Sequence, residues 1–310
     1  MNKFIKYSHD SRDLPNTRFV FPESNDERVC MACDHLQESV DVIPIENFYP
    51  KIVDYFEIAR RMEFTKNWPG NVLEKYLEHP LHLSMMMLNT DDVDHLIAGV
   101  SISQEDIIRT ALRIIGLQNR HRWVFSSSLL ISPAGDRKFT FADCSIVAEP
   151  TPEQLCSIAG ETAIFHEKLT GEQPVVAFIS FSTKGSFSHY RVDRVIKAHS
   201  LFQKKYPQIP ALGEVQIDAA IQLESTEWDV DSTDLVGNAN VLIFPNLDAG
   251  NVAYQLTKRL AGYHAAGSVI HGLKKRITLL SKKCDTDEII NTMIFASKLK
   301  GENAHLQLQM

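Results

Sequence analysis

The sequence lacks several features that would assign it to a specialised class of protein. No stretch approaches the ~18 consecutive apolar residues of a membrane span, and residues 1–7 lack the apolar stretch of a signal peptide. Only five of the 310 residues are cysteines, an odd and sparse set that favours a reducing compartment over a disulfide framework. We therefore expect a cytoplasmic protein with no membrane partner.

An excess of basic residues is also absent. The formal net charge is -7, whereas a general nucleic-acid binder normally presents a basic surface. An acidic protein can still bind a small anion, because a local group of cations acts at short range. We therefore expect small-molecule ligands and no nucleic acid.

Cofactor and metal motifs are missing as well. No G-x-G-x-x-G follows a predicted strand, which argues against a nicotinamide-dependent dehydrogenase. Cys30 and Cys33 form a C-x-x-C, but residues 27–33 have helical character and no second ligand pair is spaced for zinc. The scattered histidines show no metal-ligand spacing. We predict a structural helix at residues 27–33 and no metal site.

What the sequence does contain is an alternation of strand-like and helix-like segments. Its 44% hydrophobic and 23% charged residues are ordinary for a globular protein, and its length exceeds the usual size of one core. Strands are predicted at 18–22, 40–45, 95–100, 174–181 and 239–244, and helices at 107–115, 152–169, 189–206 and 251–260. This alternation predicts parallel βαβ units and an α/β fold.

The pattern changes near residue 122. Residues 123–131 and 139–147 are strand-like, and the turn at 133–136 between them predicts a hairpin. We place a domain boundary there.

Four polar stretches are candidates for a binding site. Three of them, residues 101–106, 182–186 and 245–251, follow predicted strands, and ligands of open α/β sheets bind beyond the carboxyl ends of the strands. The fourth, residues 280–288, combines a hydroxyl, two lysines, a thiol and three carboxylates before an apolar segment. This mixture predicts a place that holds an anion and performs chemistry on it. The competing interpretation is a helix start, with Asp285 as the N-cap and Glu288 at N3.

Six segments carry a family resemblance, and they occur in the family's order along almost the whole chain. Residues 21–29 resemble P-E-x-x-D-E-R-V, and residues 99–112 resemble G-x-x-x-S-x-x-D-x-x-R-x-A-L. Residues 141–144 match F-A-D-C, and residues 180–186 match S-F-S-T-K-G-S in full. Residues 213–220 are similar to G-E-L-Q-V-D-A-A, and residues 239–251 to A-N-V-L-I-F-P-D-L-x-A-G-N, with Asn246 where aspartate is usual. The ordered set resembles the phosphate acetyltransferase (phosphotransacetylase) family, within the phosphate acetyl/butyryl transferases.

The resemblance implies a fold and an assembly. The fold would be two α/β domains with an interdomain cleft, similar to the isocitrate/isopropylmalate dehydrogenases, and the C-terminal segment would return to the first domain. We therefore expect a first domain of residues 1–121 plus 273–310, which carries the 281–288 loop, and a second domain of residues 122–272. The family typically forms dimers, so a homodimer is expected.

The resemblance also implies an activity. Members transfer an acyl group, here expected to be acetyl, directly between coenzyme A and inorganic phosphate, with coenzyme A as a substrate and no permanently bound cofactor. By resemblance, Ser281 and Lys282 stabilise developing negative charge, and Glu288 takes the proton of the coenzyme A thiol. The phosphate would be bound by Ser103, Arg109, Thr183 and Lys184, and Asn251 and Cys284 would contact coenzyme A or line the cleft.

The last motif of the family, L-S-R-G-C-S-x-E-D-I, is altered in this chain. Lys282 replaces the arginine, Lys283 the glycine and Glu288 the aspartate, and residues 65–70 replace an R-K-x-K-G-x-T segment. Arginine offers a planar fork, whereas lysine is a flexible point charge. We hypothesise that the longer Glu288 compensates for the shorter Lys282. The alternatives are a butyryl or other acyl preference, and a paralogue that binds coenzyme A or acyl phosphate without efficient turnover.

Individual site residues have structural interpretations too. Arg109 has the i,i+4 spacing for an ion pair with Glu105. Residues 182–186 also fit an ordinary polar turn between a strand and a helix. Cys144 fits a small buried residue rather than a nucleophile, because direct transfer requires no acyl-enzyme.

Overall fold

A computed structural model describes residues 14–119, 121–221 and 237–299. The chain divides into two compact units, Met1–Trp123 with Gly272–Met310, and Val124–His271. Parts of the predicted domains, residues 1–13, 120, 222–236 and 300–310, lie outside the described residues. Within the described residues, no helix is both long and apolar enough to cross a membrane.

The first unit is built on four parallel strands. Numbered along the whole chain, its elements are β1 (Arg18–Val20), α1 (Glu27–Leu36), β2 (Asp41–Val42), a 3-10 helix (Ile45–Lys51), α2 (Ile52–Ala59), α3 (Gly70–Leu77), α4 (Pro80–Asn89), β3 (His95–Ala98), α5 (Gln104–Ile114), β10 (Arg276–Leu279) and α10 (Thr286–Lys298). The strand order is β2-β1-β3-β10, and every neighbouring pair is parallel. The carboxyl ends of these strands therefore lie at one edge of the sheet.

One face of this sheet packs against α1 and α10. Phe19 and Ile97 project from the strands, Val29 from α1 and Met293 from α10, and all four are essentially fully buried. Burying each of these side chains contributes about 1.5–3 kcal/mol. The core thus fixes the start of α10, which follows the 280–288 stretch directly.

The second unit has a mixed sheet. Its elements are β4 (Phe125–Ile131), β5 (Lys138–Ala142), α6 (Pro152–Thr170), β6 (Val176–Ile179), α7 (Tyr190–Lys205), β7 (Ala211–Val215), α8 (Ile217–Ala220), β8 (Val241–Ile243), α9 (Leu247–Arg259) and β9 (His264–His271). The order is β9-β4-β5-β8-β6-β7; β4 is antiparallel to both of its neighbours, and the pairs from β5 to β7 are parallel. Phe178, Phe202 and Val241 lie in the core beside α6 and α7.

The sequence-based elements are largely confirmed. The hairpin of β4 and β5 is antiparallel, with its turn at 133–136, and residues 27–33 lie in α1. The predicted α/β fold is confirmed as well. Helix α9 begins four residues earlier than predicted, at Leu247, because the side chain of Asn246 caps it by accepting from Ala249 N at 2.9 Å. Strands β7, β9 and β10 were not predicted as strands.

Candidate functional site

The loop after β3 is organised around the carboxylate of Glu23. This side chain follows β1 and is buried, and its two oxygens accept hydrogen bonds from the backbone N–H groups of Gly99, Ser101 and Ile102 at 2.9, 2.7 and 2.7 Å. The Ser101 hydroxyl donates to the same carboxylate at 3.1 Å. Several N–H groups that converge on one point form an anion-binding concavity. Here the anion is the protein's own carboxylate.

This loop lies directly against the 280–288 stretch. Leu280 N donates to Ala98 O at 2.7 Å, and a Cβ on Gly99 would stand only 2.4 Å from Leu280 O. Gly99 has φ +125°, a conformation that favours glycine. The absence of a side chain therefore lets the two backbones touch where residues 101–103 and 281–284 begin.

Arg28 ties these two segments together. Its Nη1 donates to Lys282 O at 3.0 Å and to Cys284 O at 2.9 Å, and its Nη2 donates to Val100 O at 3.2 Å. An ion pair with Asp26 at 2.8 Å holds the guanidinium in place. The hydrogen bond from Arg28 lowers the pKa of Asp26 and the same contact raises that of Arg28, so the pair stays charged.

The 280–288 stretch forms a turn that opens α10. Ser281 is partly buried, Lys282 and Lys283 are exposed, and Cys284 and Glu288 are buried. The predicted helix start is confirmed, because the Asp285 carboxylate accepts from Glu288 N at 2.8 Å. Glu288 stands at the positive end of the helix dipole, which favours a carboxylate. The cap uses the backbone N–H of Glu288.

Ser103 and Arg109 meet at Asp106. Ser103 caps α5 by accepting from Asp106 N at 3.1 Å, and its hydroxyl donates to Asp106 Oδ2 at 2.6 Å. Arg109 pairs with Asp106 and, at 3.5 Å, with Glu105, so the i,i+4 interpretation is confirmed as a contact. The Ser103 hydrogen bond, followed by smaller contributions that include Arg109, lowers the pKa of Asp106. An anion at this place would compete with Asp106 for Arg109.

The loop at 182–186 belongs to the second unit and has an internal carboxylate of its own. Buried Glu214 accepts from the Ser182 hydroxyl and from Gly185 N, each at 2.8 Å. Thr183 N donates to Ser186 Oγ at 3.2 Å, and Thr183 Oγ1 accepts from Gln216 N at 2.9 Å. These backbone donors are therefore used inside the protein.

Lys184 is the cation that this loop presents. It is exposed and adopts φ +49°, the left-handed region that costs a non-glycine residue about 1–2 kcal/mol. The loop held by Glu214 maintains this conformation. An anion at this loop would meet the ammonium of Lys184 and the hydroxyl of Thr183 rather than an open array of amides.

Asn251 and Cys144 are neighbours in the second unit. Asn251 Nδ2 donates to Cys144 O at 3.3 Å, and Gly250 lies so close to this loop that a Cβ would stand 2.2 Å from Asp143 O. Asp143 is the third internal carboxylate, and it accepts from Ser145 N at 2.8 Å and from Val147 N at 2.9 Å. The start of α9 is thus anchored to the loop after β5.

The structure groups the predicted residues by unit. Ser103, Arg109, Ser281, Lys282, Cys284 and Glu288 all lie in the first unit, where Gly99 and Arg28 join their two segments. Thr183, Lys184 and Asn251 lie in the second unit.

Residues 65–70, which replace the R-K-x-K-G-x-T segment of the family, belong to a packed turn. Buried Thr65 donates to Ala59 O, and Lys66 pairs with Glu63. Trp68 packs edge-on against Tyr76, with ring centroids 5.2 Å apart. Residues 65–70 therefore use their contacts for packing, and Lys66 is occupied by a carboxylate.

Two of the cysteine thiols, those of Cys144 and Cys33, are poorly suited to nucleophilic attack. Cys144 is buried, and burial raises the pKa of its thiol well above the usual value. Cys33 lies in α1, and burial raises the pKa of its thiol to about 12. Among the described residues, no group of three or more His, Cys, Asp or Glu side chains could hold a metal ion.

Sequence reasoning missed the roles of Glu23, Asp143 and Glu214. Each stands inside a motif that the sequence already marks, P-E, F-A-D and G-E, next to a predicted strand or turn. An acidic residue inside such a motif, beside a predicted strand or turn, is the sequence signal that could have indicated these roles. Which N–H groups it accepts from depends on a loop that is distant in the sequence.

Comparisons with known proteins agree with these motifs. The sequence pattern of the family described as "Phosphate acetyl/butaryl transferase" matches residues 39–297. A phosphate acetyltransferase of Acetivibrio thermocellus is 34% identical over 244 residues, which are 77% of this chain and 74% of that protein. A phosphate acetyltransferase of Staphylococcus epidermidis is 31% identical over 331 aligned positions, with 96% of this chain and 98% of that protein covered.

Comparison with solved structures finds the same family on the basis of the fold. The EutD phosphotransacetylase from Staphylococcus aureus superposes with a TM-score of 0.80 at 28% identity, covering 96% of this chain and 99% of that chain. A 4-hydroxythreonine-4-phosphate dehydrogenase from Salmonella typhimurium gives a TM-score of 0.52 at 10% identity, covering 91% of this chain and 99% of that chain. The second likeness concerns the fold alone.

Proposed function

Because this chain belongs to the phosphate acetyl/butaryl transferase family, we propose that it transfers an acetyl group between coenzyme A and inorganic phosphate. The observation that carries the proposal is the contact of the 280–288 stretch with the loop after β3. Gly99 and Leu280 touch through their backbones, so the segment that carries Ser281 and Lys282 adjoins the loop that carries Ser103. This arrangement presents a hydroxyl pair and a cation at one edge of the sheet.

The transfer is direct, within a ternary complex. Glu288 accepts the proton of the coenzyme A thiol, and the thiolate sulfur attacks the carbonyl carbon of acetyl phosphate. The C–O bond to phosphate breaks, and phosphate leaves. Lys282 and the Ser281 hydroxyl stabilise the negative charge that develops on the carbonyl oxygen and the phosphate. The buried thiol of Cys144 supports direct transfer, because burial keeps it protonated.

The phosphate is bound by side chains. The N–H groups of Gly99, Ser101 and Ile102 serve Glu23, and that of Gly185 serves Glu214. We assign Ser103, Arg109, Thr183 and Lys184 as the partners of the phosphate. Arg109 reaches the phosphate by sharing or leaving Asp106, and its fork allows two parallel hydrogen bonds to an oxyanion. Asn251 and Cys284 contact coenzyme A or line its path. We assign residues 1–121 plus 273–310 and 122–272 as the two domains.

The protein acts as a homodimer in the cytoplasm, with acyl-coenzyme A and phosphate as substrates. The dimer is supported by an apolar stripe on α9 and its C-cap, where Val252, Leu256 and Leu260 are 55%, 51% and 80% exposed at a spacing of four residues. The five cysteines are free thiols, as a reducing compartment requires. Light scattering of the wild-type protein and of Leu256→Glu tests the dimer: a monomeric wild type contradicts it.

The activity test is phosphate-dependent release of free thiol from acyl-coenzyme A. Acetyl-, propionyl- and butyryl-coenzyme A are compared with and without phosphate. Thiol release that requires phosphate and is fastest with acetyl-coenzyme A supports the proposal. Fastest release with butyryl-coenzyme A indicates a butyryltransferase. Measurable coenzyme A binding without release from any acyl donor supports the binding-only alternative that the changes at Lys282 and Glu288 suggest.

Ternary-complex transfer has its own test. Initial rates are measured with both substrate concentrations varied. Double-reciprocal plots give intersecting lines when both substrates must be bound together, and parallel lines when an acyl-enzyme forms. Exchange of labelled phosphate into acetyl phosphate in the absence of coenzyme A contradicts direct transfer.

A further inference from the structure

The carboxylate of Glu23 fills the concavity that the N–H groups of the loop after β3 form. It is 8% exposed, and its oxygens collect the N–H groups of Gly99, Ser101 and Ile102 and the hydroxyl of Ser101. Hydrogen bonds to a charged acceptor are about twice as strong as those between neutral groups. This carboxylate therefore determines the backbone conformation of residues 99–102.

That conformation determines where Ser103 points. Ser103 follows the Glu23-bound N–H groups directly and caps α5 through Asp106 N at 3.1 Å. The same loop is attached to the 280–288 stretch at two places, by the Gly99–Leu280 backbone contact and by Arg28, which donates to both Val100 O and Lys282 O. A change at Glu23 therefore moves Ser103 relative to Ser281 and Lys282.

We propose that Glu23 is a positioning residue for acyl transfer, which holds the loop after β3 in the conformation that presents Ser103 to the substrate phosphate. This inference rests on the proposed function of Ser103, Ser281 and Lys282. Glu23 does not touch substrate. It acts by supplying an internal anion to a loop whose amides would otherwise be open to water or phosphate.

A matched control is available in Asp94. Its carboxylate accepts from Arg18 N at 2.9 Å and pairs with the Arg18 guanidinium at 2.9 Å. It joins the same strands as Glu23, β1 and β3, but at their amino ends. Loss of this carboxylate removes hydrogen bonds of the same kind without touching the loop after β3.

The test compares Glu23→Gln with Asp94→Asn and with the wild-type protein. In Glu23→Gln the amide NH2 faces backbone donors, so some of them lose their acceptor. We expect kcat/KM for phosphate to fall about tenfold or more, because misplacement of a phosphate ligand weakens the transition-state complex. KM for acetyl-coenzyme A should change less than about twofold. Asp94→Asn should lower the melting temperature and leave both kinetic constants unchanged.

Chemical rescue provides a second readout. In Glu23→Ala, formate should restore part of the phosphate-dependent rate by occupying the space of the missing carboxylate, and neutral formamide should not. If Glu23→Ala does not fold, Glu23→Gln decides alone. Kinetic constants of Glu23→Gln equal to those of the wild type, with only a lower melting temperature, overturn the proposal. A wild-type protein without phosphate-dependent transfer refutes the proposed function, and this inference with it.

Discussion

Gly99 and Leu280 touch backbone to backbone, and a Cβ on Gly99 would lie 2.4 Å from the Leu280 carbonyl oxygen. These residues directly follow two neighbouring parallel strands, β3 and β10. Their contact places two polar segments of the first unit side by side, one at residues 101–103 and the other at 281–284. The candidate chemistry of this unit depends on that contact.

Gly99→Ala should separate the two segments. The added Cβ meets a carbonyl oxygen, and φ +125° disfavours alanine, so we expect about 3 kcal/mol of lost stability together with a lower kcat. Gly171→Ala is the control, since Gly171 has φ +70° and nothing within 4 Å of its Cβ position. That variant should lose about 1 kcal/mol and keep its kcat. Urea unfolding and thiol-release kinetics measure both effects. Equal kcat in the two variants would contradict this role of Gly99.

Arg28→Lys should separate catalysis from stability. The lysine ammonium cannot reach Asp26 and three carbonyl oxygens at once, so the 282–284 turn loses part of its support. We expect kcat to fall about tenfold. Arg18→Lys is the matched control, because Arg18 pairs with Asp94 and donates to Asp91 O and Asp92 O, each at 2.9 Å, at the opposite strand ends.

Both arginine variants should lose about 1 kcal/mol of stability, the modest value of partly exposed ion pairs and their hydrogen bonds. Only Arg28→Lys should lose turnover. If Arg18→Lys loses as much turnover as Arg28→Lys, the effect is a general loss of rigidity and the role of Arg28 in holding the turn is wrong.

The altered last motif predicts coupling between Lys282 and Glu288. Lys282→Arg and Glu288→Asp each restore one family residue, and each should lower kcat because the remaining partner is then the wrong length. The double variant should recover the lost turnover. A double-mutant cycle on kcat measures the coupling, and strictly additive effects would reject compensation.

Two buried histidines, His95 and His166, and the partly buried His82 predict a loss of stability in acid. Burial lowers the pKa of His95 to about 3, and those of His82 and His166 to about 4. The unfolded chain binds a proton on each histidine below about pH 6.5, while the folded protein does not. Stability from these groups is therefore complete above pH 6.5 and is lost as the pH falls from there towards 3.

Urea unfolding between pH 7 and 4 measures this dependence. Each neutral histidine contributes a slope of up to about 1.4 kcal/mol per pH unit. His95 Nε2 contacts Thr278 Oγ1 at 2.8 Å, so the double variant His95→Leu/Thr278→Val removes the titration without leaving the hydroxyl unpaired. For the double variant, the free energy of unfolding should change less steeply with pH, by the contribution of one histidine. For Thr278→Val alone, this pH dependence should equal that of the wild type. Equal slopes for the double variant and the wild type contradict the assignment.

The sequence predicted the fold better than the details of the site. Strand-like apolar segments and helical spacing of apolar residues were sufficient to predict β1, α5, α6 and α7, because local periodicity determines which face of an element is buried. Strand β10 was missed because Lys274, Lys275 and Arg276 obscure its short apolar run. The cap at Asp285 could be predicted, since it is a contact over three residues.

The internal carboxylates could not be predicted in the same way. Glu23 accepts from amides 76 to 79 residues away, and Glu214 from groups 29 and 32 residues away. Pairing over such distances is fixed by tertiary packing, which a local pattern does not contain. For the same reason, the sequence marked the loops at 101–106 and 182–186 as polar without indicating that Glu23 and Glu214 accept from their N–H groups.

The most direct test of the account is the kcat of phosphate-dependent thiol release for Lys282→Met against Lys283→Met. The two lysines are adjacent and exposed, so the variants match in charge and position along the chain. If the 280–288 stretch carries the acyl-transfer chemistry, Lys282→Met should lose about 100-fold or more in kcat, because a charge that stabilises the transition state is removed. Lys283→Met should keep the wild-type kcat. Equal kcat for both variants and the wild type would contradict the account.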